Sequence, residues 1–165
     1  MPTDENQIAP LHVFRFQVEF KEAAASDGQG GSGSDLLICS GAFSQVSGLE
    51  ATMEPFVIRE GGQNYGTTQR VGRVTFATVI LKRGMTTTRH LWHWWDLVTG
   101  GAYAYRLDAS ITMFDIEGNP ILAWTLRRAM PVKFKAADLD ALSNNVAVEE
   151  LHIVHEGLQY GRLQG

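Results

Sequence analysis

Apolar and polar residues alternate one for one from His12 to Phe20, with Phe14, Phe16, Val18 and Phe20 on one side and Val13, Arg15, Gln17 and Glu19 on the other. Successive side chains of a strand point to opposite faces, so this period specifies a half-buried strand. Strand-like runs recur down the chain. Leu49–Glu60 suits an extended segment, with Pro55 demoting part of it to an edge or bulge. Arg73–Lys82 is β-branched and apolar enough to suggest cover on both faces. Tyr105–Ile116 and Pro120–Arg128 alternate around Glu117-Gly118-Asn119, a hairpin signal, and Val132–Lys135 and Val146–Leu158 follow.

Between these runs lie segments with little to bury. Ala23–Ser34 is small and Gly/Ser-rich, which reads as a flexible surface loop, and Gly61–Gly66 and Ala136–Asn145 read as polar loops. One segment has helical period: Leu91, Trp94, Trp95 and Val98 fall at i, i+3, i+4 and i+7, Thr86-Thr87-Thr88 offer hydroxyl caps, and Gly100-Gly101 stop the run. These four side chains are the expected contact between helix and sheet. Six to eight strands, one helix and no repeated βαβ unit predict a mainly β fold: a small β-barrel or two-sheet sandwich with one flanking α-helix. The 165 residues fit a single domain, 1–165.

The chemistry-bearing residues form no constellation. His90 and His93 share a helix flank but lack further ligands nearby, and a structural zinc site needs four. His152 and His155 are three apart in a strand, which sends them to opposite faces. Asp108 and Asp115 stand at odd spacing, and Asp115 is placed to satisfy turn amides. No Gly-x-Ser-x-Gly elbow occurs, and the glycines of 23–34 lack the Lys-Ser/Thr of a phosphate loop. The residues therefore predict no catalytic residue, no metal and no cofactor. A net charge of −4 gives no basic footprint for nucleic acid. The lone Cys39 reads as a small hydrophobe. The acidic, polar start Met1-Pro2-Thr3-Asp4-Glu5 predicts synthesis in the cytoplasm without a signal peptide, and no apolar run reaches membrane-spanning length.

Seven strings occur in order: Phe14–Glu19, Phe43–Glu50, Arg59–Gly62, Val79–Gly84, Leu91–Trp95, Asp115–Asn119 and Val148–Leu158. Together they resemble the tail tube family of contractile phages and extracellular contractile injection systems, from about Val13 to Leu158. The resemblance implies a structural protein forming six-membered rings that stack into a tube inside a sheath, in a phage tail (virion) or an extracellular injection particle. It implies sheath, baseplate and tube-cap partners, and DNA or protein cargo passing without specific binding. A tube-initiator ring of the baseplate shares the same strings and is the alternative; a sugar-binding or other small-molecule β-barrel is a distant one, suggested by the tryptophans.

Two surfaces follow. The segment Arg59–Arg73, with Arg59, Glu60, Gly61, Gly62, Gln63, Asn64, Tyr65, Gly66, Arg70 and Arg73, is expected to project as an extended hairpin, which the resemblance implies reaches the adjacent ring. In the final strand Glu149, Leu151, Ile153 and His155 share the face expected of a core. Glu150 and His152 are thus the candidates for a channel wall, where an unpaired carboxylate repeated around a ring would repel phosphates.

Overall fold

The computed structural model describes residues 15–23, 39–41, 43–59, 61–62, 66–101 and 105–162. These form twelve strands and one helix: β1 (Phe16–Glu22), β2 (Cys39–Gly41), β3 (Gln45–Ser47), β4 (Ala51–Met53), β5 (Phe56–Ile58), β6 (Thr68–Arg70), β7 (Val74–Phe76), β8 (Val79–Gly84), α1 (His90–Thr99), β9 (Leu107–Phe114), β10 (Pro120–Lys135), β11 (Val148–Val154) and β12 (Gly157–Arg162). Residues 12–14 and nearly all of the Gly/Ser-rich segment 23–34 lie outside the described residues.

The main sheet is antiparallel and runs β2-β1-β9-β10-β11-β8-β3, with β12 also on β10. Strand β10 is its spine, because its first half pairs with β9 and β12 and its second half with β11. Val18 and Phe20 of β1, Leu126 of β10, Leu81 of β8 and Leu151 and Ile153 of β11 belong to one buried cluster, so the two halves of the sheet face each other across a shared core. The fold is thus mainly β with one flanking helix. Among the described residues the path ends at β2 and β3 without closing into a barrel.

The change of partner along β10 has a local cause. Pairing with β9 slips between Leu126 and Ala129, and Arg128 adopts φ 50°. A non-glycine residue in this left-handed region costs about 1–2 kcal/mol, and a bulge there re-aims the strand. Three hydrogen bonds hold it. The Arg128 N–H donates to Asp108 Oδ1 at 2.8 Å, Arg128 Nε donates to Glu156 Oε2 at 2.9 Å, and the Glu156 N–H donates to the Arg127 carbonyl at 2.9 Å. Pro120–Arg128 and Val132–Lys135 are accordingly one continuous strand, not two, while Val146–Leu158 is two strands divided at His155-Glu156.

The helix buries Leu91, Trp94 and Val98, and Trp94 meets the Phe20 ring at 5.1 Å; Trp95, at the edge of the stripe, is only half-buried. The threonines do not cap it: Arg89 occupies the N-cap in a left-handed conformation without a side-chain cap, and Thr86 and Thr88 hydrogen-bond each other at 2.8 Å. The Gly100 N–H closes the other end on the Asp96 carbonyl. Asp115 behaves as a turn carboxylate, accepting from the N–H groups of Glu117 and Asn119, and these bonds hold its pKa below the ordinary carboxylate value.

Candidate assembly surfaces

Strands β4 to β7 leave the main sheet as a two-storey ribbon. β4 pairs with β7, and farther out β5 pairs with β6, the break falling at Glu54-Pro55 on one side and Val71-Gly72-Arg73 on the other. The run Arg73–Lys82 is therefore not one covered strand: β7 belongs to the ribbon and Val74 is exposed. Two glycines permit the construction. Gly48 has φ +87°, and a Cβ there would strike the Thr78 carbonyl; a Cβ at Gly72 would strike the Glu54 carbonyl where the strands cross. The Glu54 N–H donates to the Arg73 carbonyl and the Ala77 N–H to the Glu50 carbonyl, lacing the ribbon's base.

The ribbon has no core of its own. Phe56 is 65% exposed and Val71 81%, with Met53, Val57 and Val74 also exposed. Of the proposed stacking residues, Arg59, Gly61, Gly62, Gly66, Arg70 and Arg73 are exposed on this ribbon. Glu60, Gln63, Asn64 and Tyr65 lie outside the described residues. The projecting unit is longer than Arg59–Arg73 and carries more apolar surface than its polar loop suggests.

The second surface is the outer face of β10-β11-β8-β3. Register puts Gln45, Lys82, Glu150 and Lys135 in one row and Ser47, Ile80, His152 and Lys133 in the next. Glu150 and His152 thus share a face, whereas Glu149, Leu151, Ile153 and His155 turn inward and are buried. Glu150 is not an unpaired carboxylate. It lies 3.4 Å from Lys82 Nζ and 3.3 Å from His152 Nε2, and these partners lower its pKa, the His152 hydrogen bond first and then Lys82. The ion pair with Lys82 is within the chain. With Lys82, Lys133 and Lys135 against one glutamate, the two rows are cationic, not acidic, a result hidden in sequence because the three lysines come from two strands.

On the inner face of this region Arg83 and Glu149 stand opposite in register and form a buried ion pair, N···O 2.5 Å, with Arg83 also over the Phe43 ring at 5.8 Å. His155 is buried against Phe76 at the base of the ribbon, ring centroids 5.0 Å apart.

A third surface went unread in the sequence. Segment 136–147 borders a cleft of about 960 Å³ whose opposite wall includes Ser44, Gln45 and Lys82. Although compositionally polar, it exposes Leu139, Leu142 and Val146 almost completely. The Asp140 carboxylate accepts from the Leu142 N–H at 2.9 Å and the Asp140 carbonyl accepts from the Ser143 N–H, so a turn presents the two leucines. The clue available was an i, i+3 leucine pair inside an otherwise polar loop.

Among the described residues no three His, Cys, Asp or Glu side chains gather as a metal site, and no helix is long and apolar enough to cross a membrane. His90 and His93 are exposed on α1, and Asp108 is engaged in the bulge.

The family model of the T4-like virus tail tube protein gp19 matches residues 12–159. No curated protein matches the sequence. Among solved structures, a chain of the sixfold-symmetrised anti-feeding prophage baseplate is 26% identical over 93% of this chain and 97% of that one, with a TM-score of 0.76. A chain of the sheath-tube complex of the extracellular contractile injection system PVC, in the extended state, is 20% identical over 98% and 99% of the two chains, TM-score 0.73. A chain of the anti-feeding prophage cap structure is 18% identical over 98% and 97%, TM-score 0.75; these last two likenesses concern the fold.

Proposed function

Because the chain belongs to the T4-like virus tail tube protein family, we propose that it is a structural subunit, not an enzyme, of the inner tube of a contractile tail or injection particle. Six copies close a ring, and rings stack into a hollow conduit for DNA or protein cargo. The observation that carries this reading is the sheet β10-β11-β8-β3. Among the described residues, β3 and residues 130–135 of β10 each have a strand on one side only. Open sheet edges template further pairing, and joining one edge to the opposite edge of the next copy is a heterologous contact that closes into a ring when the rotation allows. The face bearing Lys82, Lys133, Lys135, Glu150 and His152 then lines the channel, and the ribbon β4–β7 reaches the adjacent ring. Sheath, baseplate and tube-cap proteins are the partners of such a conduit, in a phage tail or a released injection particle.

Electron microscopy of the purified protein tests the proposal: rings of about sixfold symmetry support it, and a protein that stays monomeric at high concentration refutes it. The baseplate chain at 26% identity favours a second reading, a tube-initiator ring. Main-tube subunits elongate into long tubes, whereas an initiator stops at one or two rings.

A further inference from the structure

His155 stands where three parts of the fold meet. It follows the last residue of β11, and its Nδ1–H donates to the carbonyl of Gly157, the first residue of β12, at 3.0 Å. Its ring is nine-tenths buried and lies against Phe76, with centroids 5.0 Å apart and 40° between the planes. Phe76 ends β7 and pairs with Ala51 of β4, so it is the root of the ribbon. Across the turn, the Glu156 N–H donates to the Arg127 carbonyl beside the bulge in β10.

The two rings are held with unequal firmness. His155 continues from β11, which has β10 on one side and β8 on the other and buries Leu151 and Ile153 completely. The ribbon has no core, and among the described residues the Phe76–His155 contact is the aromatic contact that ties it to the main sheet. A proton on Nε2 meets no acceptor there, because this buried atom has no hydrogen-bond partner among the described residues. Of the described charged groups that flank the ring, Glu156 turns to Arg128 Nε at 2.9 Å, and Arg127 is exposed beside Gly157. Strands β4 and β7 carry no titratable side chain, and Glu50, Glu54 and Arg73 at their ends are exposed. Burial therefore lowers the His155 pKa against the opposing effect of the Gly157 carbonyl.

We infer that His155 is a proton-operated latch for the β4–β7 ribbon: the neutral ring seats Phe76 and holds the ribbon on the main sheet, and the protonated ring must turn its Nε2–H out to water, which unseats Phe76. The ribbon then opens while β11 stays in its sheet, since segments with few buried apolar contacts open before the whole fold does. In the open form the imidazole is exposed and titrates near the ordinary 6.5. The latch is thus at full strength above that pH and weakens as pH falls below it. It acts within one chain and does not depend on the tube reading. Any contact the ribbon makes with a partner becomes acid-sensitive through it.

Hydrogen exchange of the full chain from about pH 8 to about pH 5.5, read by mass spectrometry and corrected for the intrinsic effect of pH, tests the latch without a substitution. Peptides covering 50–58 and 68–77 are expected to lose protection relative to β9 and β11 below about pH 6.5. The loss reaches at most about tenfold at pH 5.5, the limit for one group whose open-state pKa is 6.5. His155→Phe keeps a ring against Phe76 but takes up no proton, so its ribbon is expected to be equally protected at both ends of the range. Phe76→Ala removes the seated ring, so its ribbon is expected to be open already at pH 8 and to change little on acidification. Ribbon protection that ignores pH, that falls together with β9 and β11, or that falls equally in His155→Phe overturns the latch. If His155→Phe fails to fold by circular dichroism, Phe76→Ala decides, and a Phe76→Ala ribbon with the wild-type response to pH overturns the latch as well.

Discussion

Trp94 fills the space between α1 and β1, its ring 5.1 Å from Phe20, yet its buried indole N–H has no hydrogen-bond partner among the described residues. The two facts separate packing from polarity. Trp94→Ala is expected to destabilise the fold by about 3–5 kcal/mol through lost burial and the cavity left behind, whereas Trp94→Phe, which also removes an unsatisfied donor, is expected to cost far less; urea unfolding of both variants measures the gap. The pair Arg83 and Glu149 has the opposite character. Its strength is conditional, because Glu149→Ala leaves the buried guanidinium without this carboxylate, a loss of about 3–5 kcal/mol, while replacing both residues with apolar ones of similar volume is expected to be near neutral. His155 adds a pH dependence. Nδ1 lies 3.0 Å from the Gly157 carbonyl and so donates to it, leaving the buried Nε2 an acceptor with no donor among the described residues; burial lowers the pKa from the ordinary 6.5. The unfolded chain therefore takes up the proton first as pH falls. Stability is full above about 6.5, declines below it, and levels off once pH passes the folded value. His155→Phe is expected to flatten that step in chemical-denaturation curves across pH. The lowered carboxyls of Asp115 and Glu150 act only below the ordinary carboxylate range, so they leave this window untouched.

Gly48 and Gly72 govern whether the ribbon can leave the sheet, since any Cβ at either would meet a backbone carbonyl, and Gly48 also needs φ +87°. Gly48→Ala or Gly72→Ala is expected to loosen the ribbon and speed its proteolytic nicking, with Gly61→Ala, which meets nothing within 4 Å, as the neutral control. A ribbon cut as fast in the control as in the two variants counts against this role. The ribbon also shows where reading the sequence stopped. Glu54-Pro55 marked a break in an extended run, and that break is real; Ala77-Thr78 carries no turn residue, so Arg73–Lys82 read as one strand although its halves belong to different sheets. Period 2 identified the buried faces of β1 and β11 because each has one side on the core, and along β9, where alternation was read without assigning a face, Leu107, Ala109, Ile111 and Met113 turn inward. It failed along β10, where the bulge at Arg128 is held by Asp108 and Glu156, residues distant in sequence whose hydrogen bonds no local pattern reveals. Likewise the face of Glu150 and His152 was legible from alternation, but its charge was not, because Lys82 and Lys135 reach Glu150 only through register.

At the scale of the assembled ring the proposed channel wall is a repeated charge pattern, and a small imbalance per subunit becomes a belt. In the row Gln45, Lys82, Glu150, Lys135 the single carboxylate offsets part of the charge of the lysines on either side of it, and Lys133 stands in the next row. Glu150 lies 3.4 Å from Lys82, so on the proposed wall it would offset cationic charge and not create an acidic belt. Glu150→Lys removes that moderation and places three lysines side by side in every subunit. Under the tube reading, rings and tubes still assemble, because the side chain lies on a face and not at the open edges of β3 or β10. Each added cation near a phosphate makes binding steeper in salt, and log affinity falls by about 0.9 per neutralised phosphate for each tenfold rise in salt for duplex DNA. Variant tubes are therefore expected to retain DNA more strongly than wild-type tubes at low ionic strength, with the difference vanishing in high salt, where screening acts within about 3 Å at 1 M. Filter binding across a salt series together with electron microscopy measures both parts. Variant protein that folds but forms no rings would place Glu150 at the boundary between subunits, and variant tubes with unchanged DNA retention would move this face off the channel.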